Sequence, residues 1–418
     1  MPKDPGTSAV ILKEIPRWQS RGIVSAAQAK KIREMYGAGK VKQGEAGSRL
    51  VPFMAIFGAI MIGAGIILFF AMNWATIPRW VKVGAILAAM IASYHIGYVM
   101  RFSRGTFPRV GESLIFLGTI IFGAGIWLIA QIFNISSHWP LGFLYWAAGA
   151  AVVAYAVRSV SSLYVAVIAL CAYVASESQY WFSLIPSSYH LAYSFFLIFL
   201  SVGIALYSLG TVHERKERLA GLRYPYHLLG AILILGALFM MSFKMFGYDE
   251  NSTGALAAQQ RDLLLSSHFW IIFLAVSVIA AIALVLSYAS RDRKSTVDFY
   301  ESFYPAVLLV FAPLSVVFAT VNFWLIPVIF NIILFLAIFA SISLGMLKKE
   351  QTLVNLGMLA FGIAVVARYF EYLWDVLNGY LFFIIGGILL IALAIFVERK
   401  RKAIVGRFAG TAASRRKA

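Results

Sequence analysis

Cysteine is almost absent from this chain, because Cys171 is the only one among 418 residues. One thiol excludes an intrachain disulfide, a cysteine-based zinc site and an intrachain redox pair. Charged residues are scarce as well, at 13%, about half of the roughly 25% usual in soluble domains. Acidic residues are the rarest, with 18 Asp and Glu against 36 Lys and Arg. The basic excess lies beside apolar runs, so we expect no nucleic-acid partner.

The motifs of common enzymes are missing. The sequence has no Gly-rich phosphate loop, no G-x-S-x-G and no His, Asp or Glu cluster at the spacing of metal ligands. We therefore expect no cofactor and no metal, and we favour a role other than catalysis. An intramembrane lipid-modifying enzyme remains an alternative, with a lateral opening lined by His95 or by residues 368–375.

Long apolar runs are what the sequence has instead, since 61% of its residues are hydrophobic and its mean hydropathy is +0.82. Many runs approach the roughly 20 residues with which a helix crosses a bilayer. The pattern predicts an all-α bundle of about twelve transmembrane helices. The runs are 51–72, 81–100, 111–131, 141–157, 160–175, 189–209, 226–246, 268–288, 303–320, 323–346, 352–370 and 379–397.

One stretch occurs twice. Residues 57–68, FGAIMIGAGIIL, and 117–128, LGTIIFGAGIWL, are identical at seven of twelve positions. A short turn and a second apolar run follow each copy, which predicts parallel repeats of a two-helix hairpin. Small residues spaced four apart favour close helix packing, with a ligand-lining role as the alternative. The glycines assigned to packing are Gly58, Gly63, Gly65, Gly118, Gly123 and Gly125.

The distribution of basic residues predicts the topology. Alternate segments between the runs hold 31 of the 36 Lys and Arg, and the remaining segments hold five. The positive-inside rule then places both termini in the cytoplasm. We divide the chain into a cytoplasmic basic helical hairpin with a linker, repeated hairpins, a middle bundle, a carboxyl-terminal hairpin and a basic tail. Their boundaries are 1–49, 50–160, 161–350, 351–398 and 399–418.

The amino-terminal segment 1–49 carries ten Lys or Arg. Ser25 is suited to cap its second helix, on which Ala29 and Ile32 share one side. Two interpretations stay open: the segment lies on lipid headgroups or on its own loops, or it docks a cytoplasmic protein partner.

Ionisable residues in or near the spans are the first candidates for a ligand site, because their burial is expensive. Arg368 lies three residues before Glu371 and seven before Asp375, so one helix face can hold the guanidinium between two carboxylates. With Tyr369, these residues are predicted to form a substrate site at the outer mouth. The alternative is an interfacial anchor.

A second candidate set lies at the outer ends of the repeated helices. It consists of Asn73, Trp74, Gln131 and Asn134, which either face a shared cavity or cap helix carbonyls. His95, in the second span, is a further candidate for ligand or proton binding.

Several segments resemble one family. They are WQSRGIVSAAQAKKI (18–32), FGAIMIGAGIILFFAMNW (57–74), ESLIFLGTIIFGAGIWLIAQIFNIS (112–136) and the closing stretch 367–402. Together they resemble the bacterial membrane proteins grouped as domain of unknown function 2157. The resemblance implies an integral protein of the bacterial inner membrane. It implies no activity and no residue role.

Two functions follow as hypotheses. The first is a transporter or translocase of a small solute or envelope precursor, with a small-molecule or lipid-linked ligand. This hypothesis weakens if the structure has no polar cavity that reaches the bilayer midplane between the first four spans and the eleventh. The second is a scaffold or sensor whose segment 1–49 docks a cytoplasmic partner. It is favoured by a dry bundle core together with an exposed apolar groove on segment 1–49.

Overall fold

In the computed structural model, helices are the only regular secondary structure among the described residues. Turns and loops connect them, and none of the described residues lies in a strand. This confirms the predicted all-α class. The chain divides into two compact units, residues 1–78 and 79–418. The described residues are 14–16, 18–37, 61, 76–103, 105, 107–135, 138–183, 191–243, 267–291, 295–321, 325–374, 380–392, 395 and 399.

A tight turn ends the first helical stretch of the amino-terminal unit. The Ile23 N–H donates to the Trp18 carbonyl at 2.9 Å, and the Gly22 N–H donates to the Gln19 carbonyl at 3.1 Å. These are the two hydrogen bonds of a Schellman motif, which needs a left-handed residue after the helix. Gly22, with φ of 70°, supplies it without steric cost.

The next helix, α1 (Ala26–Gly37), starts with a reciprocal cap. The Ser25 Oγ accepts from the Gln28 N–H at 3.3 Å, while the Gln28 Oε1 accepts from the Ser25 N–H at 2.8 Å. This capping box satisfies two backbone donors that a helix start leaves without partners, so the predicted cap at Ser25 is observed. Ile15 and Ala29 are fully buried within this unit.

The second unit contains eleven described helices. They are α2 (Arg79–Tyr98, continued by a π turn Val99–Ser103), α3 (Pro108–Ile132), α4 (Leu141–Ala156), α5 (Val160–Ser183), α6 (Leu191–Glu214), α7 (Arg223–Met241), α8 (Ser267–Ala289), α9 (Thr296–Val321), α10 (Ile326–Lys348), α11 (Gln351–Leu373) and α12 (Tyr380–Ala392).

Nine of these helices are long and apolar enough to cross a membrane; α4 and α12 are the shorter ones among the described residues. The chain is therefore a multi-pass membrane protein. Its helices coincide with eleven of the twelve predicted runs. The run 51–72 lies outside the described residues apart from Met61, as does most of the first repeat copy. The total of twelve spans and the parallel repeat consequently stay predictions.

The helix α6 forms the centre of the bundle and packs along α7 and α8. Its contact with α7 depends on glycine, because a Cβ on Gly230 would lie 2.6 Å from the Tyr207 backbone nitrogen and 2.9 Å from the Gly203 carbonyl oxygen. Small residues of this kind let helix backbones approach closely in lipid.

Polar contacts join one set of helix ends, which we call the network end. Arg101 donates to the Arg158 carbonyl at 3.1 Å, and the Tyr155 hydroxyl lies 2.8 Å from His213 Nε2. Lys348 then reaches across to the end of α6. The distribution of Lys and Arg predicts that the network end is cytoplasmic.

Candidate ion and ligand site

Three helix ends bring one cation between two carboxylates at the network end. Lys348 Nζ lies 2.6 Å from Glu214 Oε2 and 2.5 Å from Glu301 Oε1. Glu214 and Lys348 are the last residues of α6 and α10, whereas Glu301 lies in the second turn of α9. A cation at a helix carboxyl terminus and an anion near a helix amino terminus both oppose the local helix dipole.

Two of these residues are withdrawn from solvent, and the third, Glu214, has a side chain that is 26% exposed. The side chain of Glu301 is 3% exposed and that of Lys348 is 10% exposed. Burial of a charge costs several kcal/mol unless a partner compensates it, and removal of one partner leaves the other uncompensated. The ends of α6, α9 and α10 are therefore held together by charge.

Arg215 extends this arrangement to α8. Its guanidinium lies 3.4 Å from Asp298 and 3.6 Å from Glu301, and it donates to the Ser287 carbonyl. Ser287 belongs to the last turns of α8. We call Glu214, Arg215, Asp298, Glu301 and Lys348 the buried ion network.

His227 of α7 lies beside the buried ion network. Its side chain is 3% exposed, and Nε2 lies 4.0 Å from Glu214 Oε2. Neither ring nitrogen has a hydrogen-bond partner among the described residues. The ring stacks on Tyr207, with centroids 4.9 Å apart. Gly210 makes room for the imidazole, because a Cβ at that position would overlap the ring.

A cavity of about 450 Å³ lies between α7, α9 and α10, with contributions from α6 and α11. Its lining is mostly apolar and includes Ile234, Val307 and Leu336. Val307 and Leu336 are also exposed on the outer surface of the bundle, so the cavity opens sideways. Tyr207 lines it, and the buried Tyr207 hydroxyl has no hydrogen-bond partner within the described part of the chain.

The cavity differs in place and chemistry from the one that transport was expected to require. None of its lining residues belongs to the first four spans, and α11 contributes Leu353. Its polar groups are few, among them Ser341 and Ser343.

The predicted Arg368 site is partly described. Arg368 pairs with Glu371, donates to the Ser242 carbonyl at 2.7 Å, and places its guanidinium carbon 4.3 Å above the Phe243 ring. Tyr369 points elsewhere, since its hydroxyl donates to the Phe382 carbonyl. Asp375 lies outside the described residues. Arg368 thus contacts the end of α7, and Tyr369 contacts α12.

The candidates at the ends of the repeated helices do not meet in a described site. Asn73 and Trp74 lie outside the described residues. Asn134 has a φ of 50°, and its N–H donates to the Gln131 carbonyl at 3.3 Å. The side chains of Gln131, Asn134 and His95 are exposed. The structure gives Asn134 a backbone role at the end of α3, and a ligand role for these residues remains a prediction.

The glycines of the second repeat copy lie at helix contacts. A Cβ on Gly118 would come within 2.9 Å of the Tyr94 ring, and one on Gly125 within 3.0 Å of Ile86. Gly123 faces the indole of Trp146 even more closely. Gly58, Gly63 and Gly65 of the first copy lie outside the described residues.

A smaller polar network occupies α3 and the turn between α4 and α5. Glu112 Oε1 accepts from the Ser159 hydroxyl at 2.8 Å and also from the Ser161 hydroxyl, while Oε2 pairs with Arg101. The left-handed Arg158 ends α4, which confirms the predicted break between the fourth and fifth runs.

The sequence analysis missed the buried ion network. None of its five members was singled out, although Glu214 is helical and Arg215 has a side chain that is only 12% exposed. The spacing along the chain also showed no cluster of metal ligands, whereas the fold brings three possible ligands together. Glu214, His227 and Glu301 place one ligand atom each within 4.8 Å of one another. One feature of the sequence could have indicated the network, because Glu301 is an acidic residue beside the apolar run 303–320.

The comparison with protein families matches residues 16–163 to the family described as predicted membrane protein (DUF2157). The predicted family resemblance is confirmed. The match includes α1 to α4 and the Glu112 network, whereas the buried ion network and the cavity lie beyond it. Neither the curated proteins nor the solved structures give a match.

Proposed function

We propose that the chain is a translocase for an amphiphilic, lipid-linked molecule, and that the cavity binds the apolar part of that molecule. The observation that carries the proposal is the position of the cavity. It opens sideways on one side and ends at Tyr207, next to the buried ion network, on the other.

The chemistry of the lining supports an amphiphile over a small polar solute. Pockets bind apolar groups through apolar walls and orient them with a few polar groups. Here the wall is apolar, and Tyr207 at one end has a buried hydroxyl without a hydrogen-bond partner among the described residues. A lipid-linked molecule would enter from the bilayer, place its chains along α9 and α10, and direct its polar head to Tyr207.

The helix α9 supports a movement of the kind that translocation needs. It contains Pro305 and Pro313, and Pro305 lines the cavity. Proline removes one backbone hydrogen bond from a helix and favours a bend there. A change of bend in α9 would widen or close the cavity and move Glu301 relative to Lys348.

The proposal includes a bacterial inner-membrane location, twelve spans and cytoplasmic termini. The support is the distribution of Lys and Arg, which are concentrated in alternate segments. On this topology the buried ion network faces the cytoplasm, and Arg368 lies at the outer end. The division of the chain into five segments, with boundaries after residues 49, 160, 350 and 398, is part of the same proposal.

Photolabelling tests the binding step. The full chain is reconstituted with a diacyl phospholipid that carries a diazirine in its acyl chain, and the labelled residues are mapped by mass spectrometry. We expect labels on α9 and α10 residues of the cavity, and their loss in Ala340→Leu, which fills the cavity. Ala275→Leu is the matched control, because Ala275 is exposed on α8 and does not line the cavity. Equal labelling of the cavity in wild type and Ala340→Leu would contradict the proposal.

The alternative function is a scaffold that docks a cytoplasmic protein through residues 1–49. One observation favours it: Ile23, at the turn before α1, is 64% exposed. An exposed apolar residue beside basic ones suits an acidic, amphipathic partner. Under this alternative, Ile23→Asp abolishes binding of the partner, while Ala340→Leu has no effect on function.

A further inference from the structure

We infer that Glu214, His227 and Glu301 form a binding site for a divalent first-row transition-metal ion, and that the Lys348 ammonium competes with the metal for this site. The inference goes beyond the proposed translocation. It concerns an ion site at the network end, and it stands without the lipid cavity.

The geometry suits a shared ion. The three residues come from α6, α7 and α9, and one ligand atom of each lies within 4.8 Å of the other two. Ligands bound at about 2.1 Å in a tetrahedral metal site lie about 3.4 Å from one another. A movement of less than about 1 Å by each ligand atom would therefore bring all three into one coordination sphere.

His227 is the independent sign of a ligand. It is almost fully buried, its Nε2 faces Glu214, and neither ring nitrogen has a hydrogen-bond partner within the described residues. Buried polar groups are normally paired, so such a histidine requires an explanation. Lys348 pairs with both carboxylates but leaves the imidazole unused. A metal ion would use all three groups.

A metal ion at this site would compete with the positively charged side chains around it. Lys348, Arg223 and Arg215 all act electrostatically on His227. Arg215 keeps Asp298 as a partner, so Lys348 is the cation that a metal must replace. Lys348 ends α10, and a lysine carries its charge on a flexible four-carbon stem that can swing away.

The donor set indicates the class of metal. Imidazole suits zinc and iron and carboxylates suit manganese, whereas calcium and magnesium prefer oxygen ligands alone. Two carboxylates also balance the charge of a divalent ion. We therefore expect Zn²⁺ and Mn²⁺ to bind in preference to Ca²⁺ and Mg²⁺.

Equilibrium dialysis tests the site. The full chain, without an affinity tag, is stripped with a chelator in nanodiscs and dialysed against Zn²⁺ or Mn²⁺, and the bound metal is counted by elemental mass spectrometry. We expect one ion per chain for the wild type. Lys348→Met should bind more than about tenfold tighter, because a like charge at contact distance is removed. His227→Gln should bind more than about tenfold weaker.

His138→Gln is the control, since His138 pairs with Glu177 at 2.7 Å elsewhere in the bundle and should not affect the count. The gain in Lys348→Met cannot result from misfolding, so it remains informative if His227→Gln fails to fold. The inference is overturned if the wild type binds neither ion, even if Lys348→Met binds one. It is also overturned if His227→Gln binds as the wild type does, or if His138→Gln loses the ion.

Discussion

The two charged regions of the bundle are built in different ways. Arg368 and Glu371 belong to one helix, three residues apart, and they pair with each other. The buried ion network joins Glu214, Glu301 and Lys348 from three helices, and Lys348 follows Glu214 by 134 positions in the sequence. The first arrangement follows from helix periodicity alone. The second depends on how α6, α9 and α10 pack.

The groups that surround these two charged regions also differ. Arg368 contacts a backbone carbonyl and an aromatic ring at the end of α7, which is what an anchor between helices requires. The buried ion network contacts His227, and through the Tyr207 ring it adjoins the cavity. We infer that the local pair serves stability alone, whereas the long-range network contributes both to stability and to the proposed function. Two substitutions test this distinction, and a third tests the role of Asn134.

The largest effect is expected for Lys348→Met in the presence of a chelator. The substitution leaves Glu214 and Glu301 facing each other without their shared cation. Breaking a buried pair by removing one partner costs about 3–5 kcal/mol. The free energy of unfolding, from SDS titration in mixed micelles, measures the loss.

The control for this substitution is Lys216→Met, since Lys216 is exposed two residues after Glu214. We expect it to change the free energy of unfolding by less than about 0.5 kcal/mol. A small loss in Lys348→Met would mean that Glu301 is not held by Lys348.

A smaller loss is expected for Arg368→Ala. It removes the hydrogen bond to the Ser242 carbonyl and the partner of Glu371, and hydrogen bonds to charged groups contribute about 1.5–3 kcal/mol. If Arg368 is an anchor, the variant unfolds more easily in the same titration but labels the cavity as the wild type does. A loss of cavity labelling at unchanged stability would instead support the predicted ligand-binding role of Arg368.

The smallest effect is expected at Asn134. Its left-handed backbone costs an alanine about 1–2 kcal/mol and a glycine almost nothing. Asn134→Ala should therefore unfold more easily than the wild type, and Asn134→Gly should match the wild type in stability and in ligand labelling. A loss of labelling in Asn134→Gly would show that the Asn134 side chain binds the ligand.

The positions of individual helices and of the breaks between them are the part of the structure that the sequence predicts well. The apolar runs predict eleven described helices, Ser25 predicts the start of α1, and the gap between the fourth and fifth runs predicts the break after α4. Each of these depends on a few neighbouring residues. The pairing of Arg368 with Glu371 was predictable for the same reason.

The candidate site depends on contacts that periodicity does not encode. His227 looks like a single histidine near a helix start, and Gly210, which makes room for it, looks like one more small residue in an apolar run. Only the packing of α6 on α7 brings them together. Glu301 and Lys348 are 47 positions apart in the sequence, and their contact likewise depends on how the helices pack.

Lipid translocation through the cavity is the central claim, and a leaflet-exchange assay tests it most directly. Proteoliposomes containing a headgroup-labelled fluorescent anionic phospholipid are treated with dithionite, which quenches the outer leaflet. We expect the wild type and Ala275→Leu to expose the inner-leaflet probe faster than protein-free vesicles, and Ala340→Leu to be no faster than those vesicles. Equal rates for Ala340→Leu and the wild type, or no acceleration by the wild type, would contradict the account.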